Sequence, residues 1–327
     1  MKRLTSLTTA AAALLLATSG VASADRAGPR ETRHHDEELA TDFSAVTRDT
    51  AWTRVDKLRL DFDTFHTEGL AVTRKHLFLS AVEILEPTRA YPTPVDGYDR
   101  TPGKGVGHLF VMDRQGRLQK DIVLGSGDRY HPGGIEYDGH DVWVPVAEYR
   151  PDSSTTIYRV DASSLKVTRA FDVHDHVGGV VLDKSTGHLV GDTWGSRRFY
   201  EWTRGGRQLS TWRNNGYFVD YQDCQYVRSA KLLCGGVTEL PQTPAAGGKT
   251  VPYELGGMAL IDLRSHRTLH EVPFQTWSTA GHVMTRNPLK LAARGDTIDL
   301  WAAPDNGDEG DGTEVFHFRA TVQPEGH

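Results

Sequence analysis

Two stretches of this chain, "FHTEGLAVTRKHLFLSAVE" from Phe65 and "YHPGGIEYDGHDVWVPVAE" from Tyr130, follow one pattern. Each runs aromatic residue, His, two small or acidic residues, Gly, a short apolar strand, a turn, a second apolar strand and Glu. Recurrence of this kind marks a repeated unit that buries its apolar face only against its neighbours. Anchored on the motif, unit starts fall at "HTEGLAVT" (His66), "HPGGIEYD" (His131), "HVGGVVLD" (His176), "YQDCQYVR" (Tyr221) and "HVMTRNPL" (His282), spaced by 65, 45, 45 and 61 residues. A second and a third strand follow each start, as in "DVWVPVAE" and "TTIYRVDASS", and a fourth strand ends four of the units. Alternating apolar runs broken by Gly, Asp, Asn and Ser, with almost no helical period, read as an all-β chain.

The fifth unit lacks its outer strand, while "WTRVDKLRLDF" near the N-terminus belongs to no unit. Placing that segment at the end of the last unit closes a ring without an open edge, so the expected fold is an all-β, five-bladed β-propeller closed by an N-terminal strand. The long units carry insertions, "EPTRAYPTPVDGYDRTPGKG" and "LPQTPAAGGKTVPYEL", each between a second and a third strand. "GGKT" within the latter imitates the end of a P-loop, but without the upstream spacing or the strand–helix context.

The expected organisation is a signal peptide over residues 1–24, a polar flexible tail over 25–50, the propeller over 51–322 and a C-terminal tail over 323–327. Lys2 and Arg3, the apolar run Ala10–Ala17 and the "VASA" ending at Ala24 are the three parts of a secretory signal. Export is therefore expected, and no other stretch is long and apolar enough for membrane insertion. Removal of Lys2 and Arg3 leaves 35 basic against 43 acidic residues, a net −8. Such a surface does not favour nucleic acid or anionic membranes. A monomer is expected. In an exported chain the only two cysteines, Cys224 and Cys234, are read as a cross-strand disulfide on the fourth unit.

The first strand of a blade lines the central channel, so the repeat phase carries His66, His131, His176 and His282 to one mouth. The fourth unit breaks the pattern with Tyr221, Gln222 and Asp223. At the same face the second strands end in Glu83, Glu148, Trp194, Glu239 and Asp305–Asn306, and Glu68 sits two residues inward from His66. Clustered imidazoles disfavour one another's protonation, and neutral rings suit a transition metal (Zn, Mn, Fe, Ni or Cu) better than calcium. Glu68, Glu148 and Glu239 are the expected catalytic carboxylates, orienting the imidazoles or moving a proton. The acidic stretch "APDNGDEGDG" lacks the spacing of a calcium loop and reads as a solvated turn.

On these motifs the chain resembles secreted bacterial propellers of unassigned function, over roughly Ala51 to Thr321. The "FHTEGLAVT…LFLSAVE" unit is also similar to the first blade of five-bladed glutamine cyclotransferases, which turn N-terminal glutamine into pyroglutamate. That resemblance implies that Glu68 matches their acidic channel-mouth position, although the later His-Pro-Gly-Gly and His-Val-Gly-Gly units depart from their pattern. The histidine ring is similar to that of propeller enzymes holding iron on four carboxylate-backed histidines, which have more blades. Two functions follow as expectations. One is a secreted metal-dependent hydrolase or lyase. The other is a non-catalytic propeller that binds a glycan, peptide or partner protein through its loop face, with Tyr91 and Tyr98 of the first insertion as the recognition surface. The expected ligand at the channel mouth is a small molecule, peptide or glycan.

Overall fold

The computed structural model describes residues 31–242 and 252–322. The expected signal peptide, "GGKT" and the C-terminal tail lie outside the described residues. No described helix is long and apolar enough to cross a membrane.

Five antiparallel sheets form a five-bladed propeller, with the strands of each blade running in order from the axis outward. A helix, α1 (Glu31–Ser44), and a strand, β1 (Thr53–Arg59), precede the first blade. Blade one is β2 (His66–Val72), β3 (Leu77–Glu86), β6 (Lys104–Met112) and β7 (Leu118–Leu124), with a hairpin of β4 (Ala90–Val95) and β5 (Tyr98–Arg100) inserted after β3. Blade two is β8 (Arg129–Pro132) with β9 (Glu136–Tyr137), then β10 (Asp141–Glu148), β11 (Thr155–Asp161) and β12 (Val167–Val173). Blade three is β13 (Val177–Asp183), β14 (His188–Thr193), β15 (Arg198–Trp202) and β16 (Gln208–Arg213). Blade four is β17 (Asp220–Val227), β18 (Lys231–Leu240), β19 (Tyr253–Asp262) and β20 (Arg267–Phe274). Blade five is β21 (Leu289–Arg294), β22 (Thr297–Ala302) and β23 (Glu314–Thr321), completed on its outer edge by β1.

The ring closure is therefore as the unpaired N-terminal segment predicts: β1 runs antiparallel to β23 from Thr53 opposite Arg319 to Arg59 opposite Glu314. Without it β23 would present a free row of backbone donors and acceptors. The disulfide also forms as expected, joining Cys224 on β17 to the directly opposite Cys234 on β18, with 4.1 Å between their Cα atoms. The turn of Arg228–Ala230 sets that register, with Ser229 and Ala230 at positive φ.

Near the axis the inner strands nearly touch, and this explains the glycine of the repeat. A methyl group on Gly69 would lie 2.6 Å from the amide nitrogen of Ile135, and one on Gly134 would lie 2.6 Å from the carbonyl oxygen of Gln222. Blades two and three are hydrogen-bonded directly here, from Gly134 N to Gly178 O (2.8 Å) and from Val180 N to Gly134 O (3.3 Å). Blade four has Asp223 at this level. Its Oδ2 accepts from the backbone N–H groups of Leu70 in blade one (2.9 Å) and Leu289 in blade five (3.4 Å). Burial pushes the Asp223 pKa well above the usual carboxylate range, so the axis holds a carboxyl group that resists ionisation.

The expected flexible tail needs correction. From Glu31 to Ser44 it is a helix, and Leu39 and Phe43, four residues apart on one face, are buried against blades four and five together with Val46. His270 Nε2 donates to Val46 O (2.7 Å) and Gln275 Nε2 to Arg48 O (3.1 Å), which fastens the chain leaving the helix to blade four. Two large apolar residues in an otherwise polar run form too narrow a stripe to register as helical periodicity, yet Phe43 is fully buried. Phe43→Ala should therefore cost about 3–5 kcal/mol in urea unfolding, the range for truncating a buried aromatic. A flexible tail would make the same change silent.

Candidate functional site

Three of the inner strands carry a bulge at the same level. In β2 it falls between Thr67 and Gly69, in β13 between Val177 and Gly179, and in β17 between Tyr221 and Asp223. Blade two breaks between β8 and β9 at the same place. The residues left unpaired are Glu68, Gly178 and Gln222, and all three line one pocket at the channel mouth together with Gly133. His66, His131 and His176, each two residues before the break in its inner strand, line the same pocket. Its volume is about 230 Å³, its floor is the closed glycine axis, and Tyr149 and Trp194 stand in its wall.

Each imidazole has a different environment. His66 Nδ1 faces Asn306 Oδ1 at 2.9 Å, and its Nε2 lies 2.9 Å from Glu68 Oε1. His176 Nδ1 donates to the Glu148 carbonyl oxygen at 2.8 Å. His131 stacks on Tyr149 with centroids 4.0 Å apart and 19° between the planes. Its Nε2 is 3.2 Å from Glu68 Oε1, but not aligned as a hydrogen bond, and both of its ring nitrogens are buried without a hydrogen-bond partner. Buried polar atoms in folded chains are almost always satisfied, so an imidazole with two orphaned nitrogens points to a group that completes it.

The electrostatics separate these groups. Burial alone would raise the Glu68 pKa, but the adjacent His131 and His66 outweigh it and bring it down to about 2. Burial alone would lower that of His66, but Glu68 reverses the effect and raises it. For His176 burial dominates, reinforced by His131, and lowers the pKa to about 4. His176 is thus a neutral ring at physiological pH and Glu68 an anion. The ligand atoms of His66, Glu68 and His131 lie within 4.8 Å of one another, a separation that ligands around one ion can have.

The other expected site residues do not join this cluster. His282 is held elsewhere, with Nδ1 at 2.7 Å from Glu254 Oε1 and Nε2 at 3.3 Å from Glu309 Oε1. The cause is the phase of blade five. Leu70 N and Leu289 N bond the same Asp223 oxygen and so are equivalent; four residues before Leu70 is His66, but four before Leu289 is Thr285. His282 lies three residues too early, in the loop before β21. The Glu148 carboxylate takes Arg150 (2.7 Å) and Ser154 (2.7 Å), so it is the backbone of Glu148 that serves the site. Glu239 is exposed near the end of β18, outside the pocket.

The acidic stretch before β23 does more than form a solvated turn. Glu309 accepts from the backbone of Asn306 (2.8 Å) and from Arg286 (3.1 Å), which fixes Asn306 behind His66. Sequence reading missed Tyr149 and Asp220 as pocket residues. Tyr149 directly follows the Glu that ends the repeat motif, so extending the motif by one residue would have found it.

Fold and site together define a class: a five-bladed propeller with a buried histidine–carboxylate pocket at one closed mouth. Within it, the chain belongs to DUF6454, a family of unknown function, which it matches over residues 33–324. The match begins inside α1, so the helix is part of the family's domain. No curated protein matches the chain. Similar solved structures include a protein of unknown function from Bacteroides caccae (10% identity, TM-score 0.42, covering 74% of this chain and 73% of that one). A luciferin-regenerating enzyme (10%, 0.46, 83% and 95%) and a glycosyl hydrolase from Bacteroides ovatus (10%, 0.45, 81% and 87%) are further examples. At these values the likenesses carry no argument about this chain's activity.

Glu68 holds the balance of the pocket, and histidine NMR titration reads it directly. In Glu68→Gln the His66 pKa should fall below its ordinary value near 6.5, because burial, the largest cause, then outweighs the remaining hydrogen bond to Asn306. His66 titrating unchanged in that variant would show that Glu68 does not set its charge.

Proposed function

We propose that the protein is a secreted, divalent-metal-dependent hydrolase whose metal is held by His66, His131 and Glu68, with His176 at the rim of the same donor set. The observation that carries this reading is the His131 ring, buried beside an anionic carboxylate with neither nitrogen hydrogen-bonded. Two imidazoles and one carboxylate are donors suited to Zn, Mn, Fe, Ni or Cu, and such a set leaves coordination positions open. A metal here supplies Lewis acidity and a water made acidic enough to attack at neutral pH.

The chain's own residues would do the rest. Asn306 and the Glu148 carbonyl tie down the Nδ1 atoms of His66 and His176, which leaves each Nε2 as the prospective metal donor, that of His66 being in contact with Glu68 in the metal-free protein. A carboxylate with a pKa of about 2 is ionised at neutral pH. In that state Glu68 is suited to be a ligand or a base. Neutral His176 is placed to accept or return a proton beside it. The disulfide fits an oxidising compartment, in keeping with the signal peptide expected at 1–24.

Metal analysis of protein purified without a histidine tag tests the reading. About one equivalent of a first-row metal is expected, reduced in His66→Ala, His131→Ala and Glu68→Ala, and unchanged in His282→Ala. Protons compete for the same nitrogens, and Glu68 raises the affinity of His66 for them. Occupancy should therefore fall as the pH drops, starting somewhat above about 6.5. Protein that neither contains nor takes up any of the five metals would leave a propeller that only binds its ligand.

A further inference from the structure

A second cleft opens beside the metal pocket on the same face, with a volume of about 460 Å³. The two cavities share Thr193 and Trp194 as a common wall. On the far side of the cleft stands Tyr217, 81% exposed, the most exposed large apolar or aromatic side chain among the described residues. The Arg197 guanidinium lies 4.6 Å from its ring centroid, so one face of the ring is backed and the other is open. A ring displayed in this way does nothing for the core, and a contact surface is its natural use.

The polar groups of the cleft narrow the ligand. Arg197 is occupied by Gly195 O (2.5 Å), Gly216 O (2.8 Å) and Asp220 Oδ1 (2.9 Å). Arg198 is paired with Asp175 (3.4 Å) and Tyr200 (3.1 Å). Arg213 and Asp152 line the same cleft. Arg197 is neutralised by Asp220 of the neighbouring pocket and Arg198 by Asp175, which leaves one charge of each sign, Arg213 and Asp152, and no excess of positive charge to gather a polyanion. Two aromatic rings, the amide of Asn215 and balanced donors and acceptors suit a neutral, hydroxyl-rich ligand with apolar faces.

We infer that this cleft binds a neutral oligosaccharide chain, which runs over Tyr217 and Trp194 and delivers its end to the metal pocket. A pyranose ring has a C–H face that seats on an aromatic ring, and hydroxyl edges that meet amide, guanidinium and carboxylate groups. The inference deepens the hydrolase reading by naming its substrate class, but binding in the cleft needs no metal.

The test uses full-length mature protein stripped of metal with EDTA, titrated calorimetrically with cellohexaose, xylohexaose, mannohexaose and chitohexaose, and with heparin as the polyanion. At least one hexasaccharide should bind. Tyr217→Ala, at an exposed position that folding does not need, should weaken it roughly tenfold, and Tyr217→Phe should stay within about twofold. Val123→Ala, equally an exposed apolar position but on the outer strand of blade one and away from both cavities, should leave the affinity intact. Failure of all four hexasaccharides, binding of heparin alone, or unchanged affinity in Tyr217→Ala each overturns the inference. Saccharide binding by a protein that takes up no metal defeats only the hydrolase reading, and metal uptake without saccharide binding defeats only this one.

Discussion

Everything else in this propeller depends on how closely five inner strands approach one axis. Where a wider ring would leave a channel, here the backbones of blades one, two and three meet at Gly69, Gly134 and Gly179. Even a methyl group on Gly69 or Gly134 would collide with a neighbouring blade's backbone. Blade four supplies a side chain at this level, Asp223, and its carboxyl group joins blades one and five through their amides. The closure has a chemical consequence. A blocked axis turns the mouth into a cup with a floor, and a cup excludes water from the groups at its base. Glu68, His131 and His176 are all nearly buried for this reason. Burial brings the His176 pKa down to about 4, while at Glu68 the neighbouring imidazoles outweigh burial and bring it to about 2.

The same closure explains what the sequence made legible. Glycine three residues after each histidine is an axial packing requirement, so the motif recurs with the blade and reveals the blade count. The outer strand supplied by β1 was readable because a strand left over at one end answers a strand missing at the other. The Cys224–Cys234 bridge was readable because both ends lie on one hairpin. Each of these signals is local, or repeats in register.

The misreadings share the opposite property. Blade five has no His-x-x-Gly before β21, and anchoring on the letter His chose His282 where Thr285 holds the position. The hydroxyl of Thr285 bonds Gly236 O (2.8 Å) and Gly257 N (3.1 Å) instead of entering the pocket. Sequence also cannot tell a residue that serves by its side chain from one that serves by its carbonyl, and Glu148 is of the second kind. The bulge that aims Glu68 is a backbone event, and only the register of β2 on β3 exposes it. Helix α1 escaped because its burial rests on a pair of residues rather than a stripe.

One loop ties the pocket to the cleft beside it. After Thr193 the chain turns through Gly195 and Ser196, both at positive φ, and Ser196 pays the steric cost of that conformation as a non-glycine residue. What holds it there is tertiary: its Oγ accepts from the backbone of Tyr221 (3.0 Å), and Arg197 grips Gly195, Gly216 and Asp220 together. The turn thereby fixes Trp194 between His176, whose ring meets it edge-on at 4.8 Å, and Arg100 of the blade-one hairpin, 4.9 Å from its centroid. A strained turn is retained where its geometry is needed. Here it sets one indole as the shared wall of the two cavities, so a ligand seated against Trp194 is also held at a fixed distance from the histidine–carboxylate cluster.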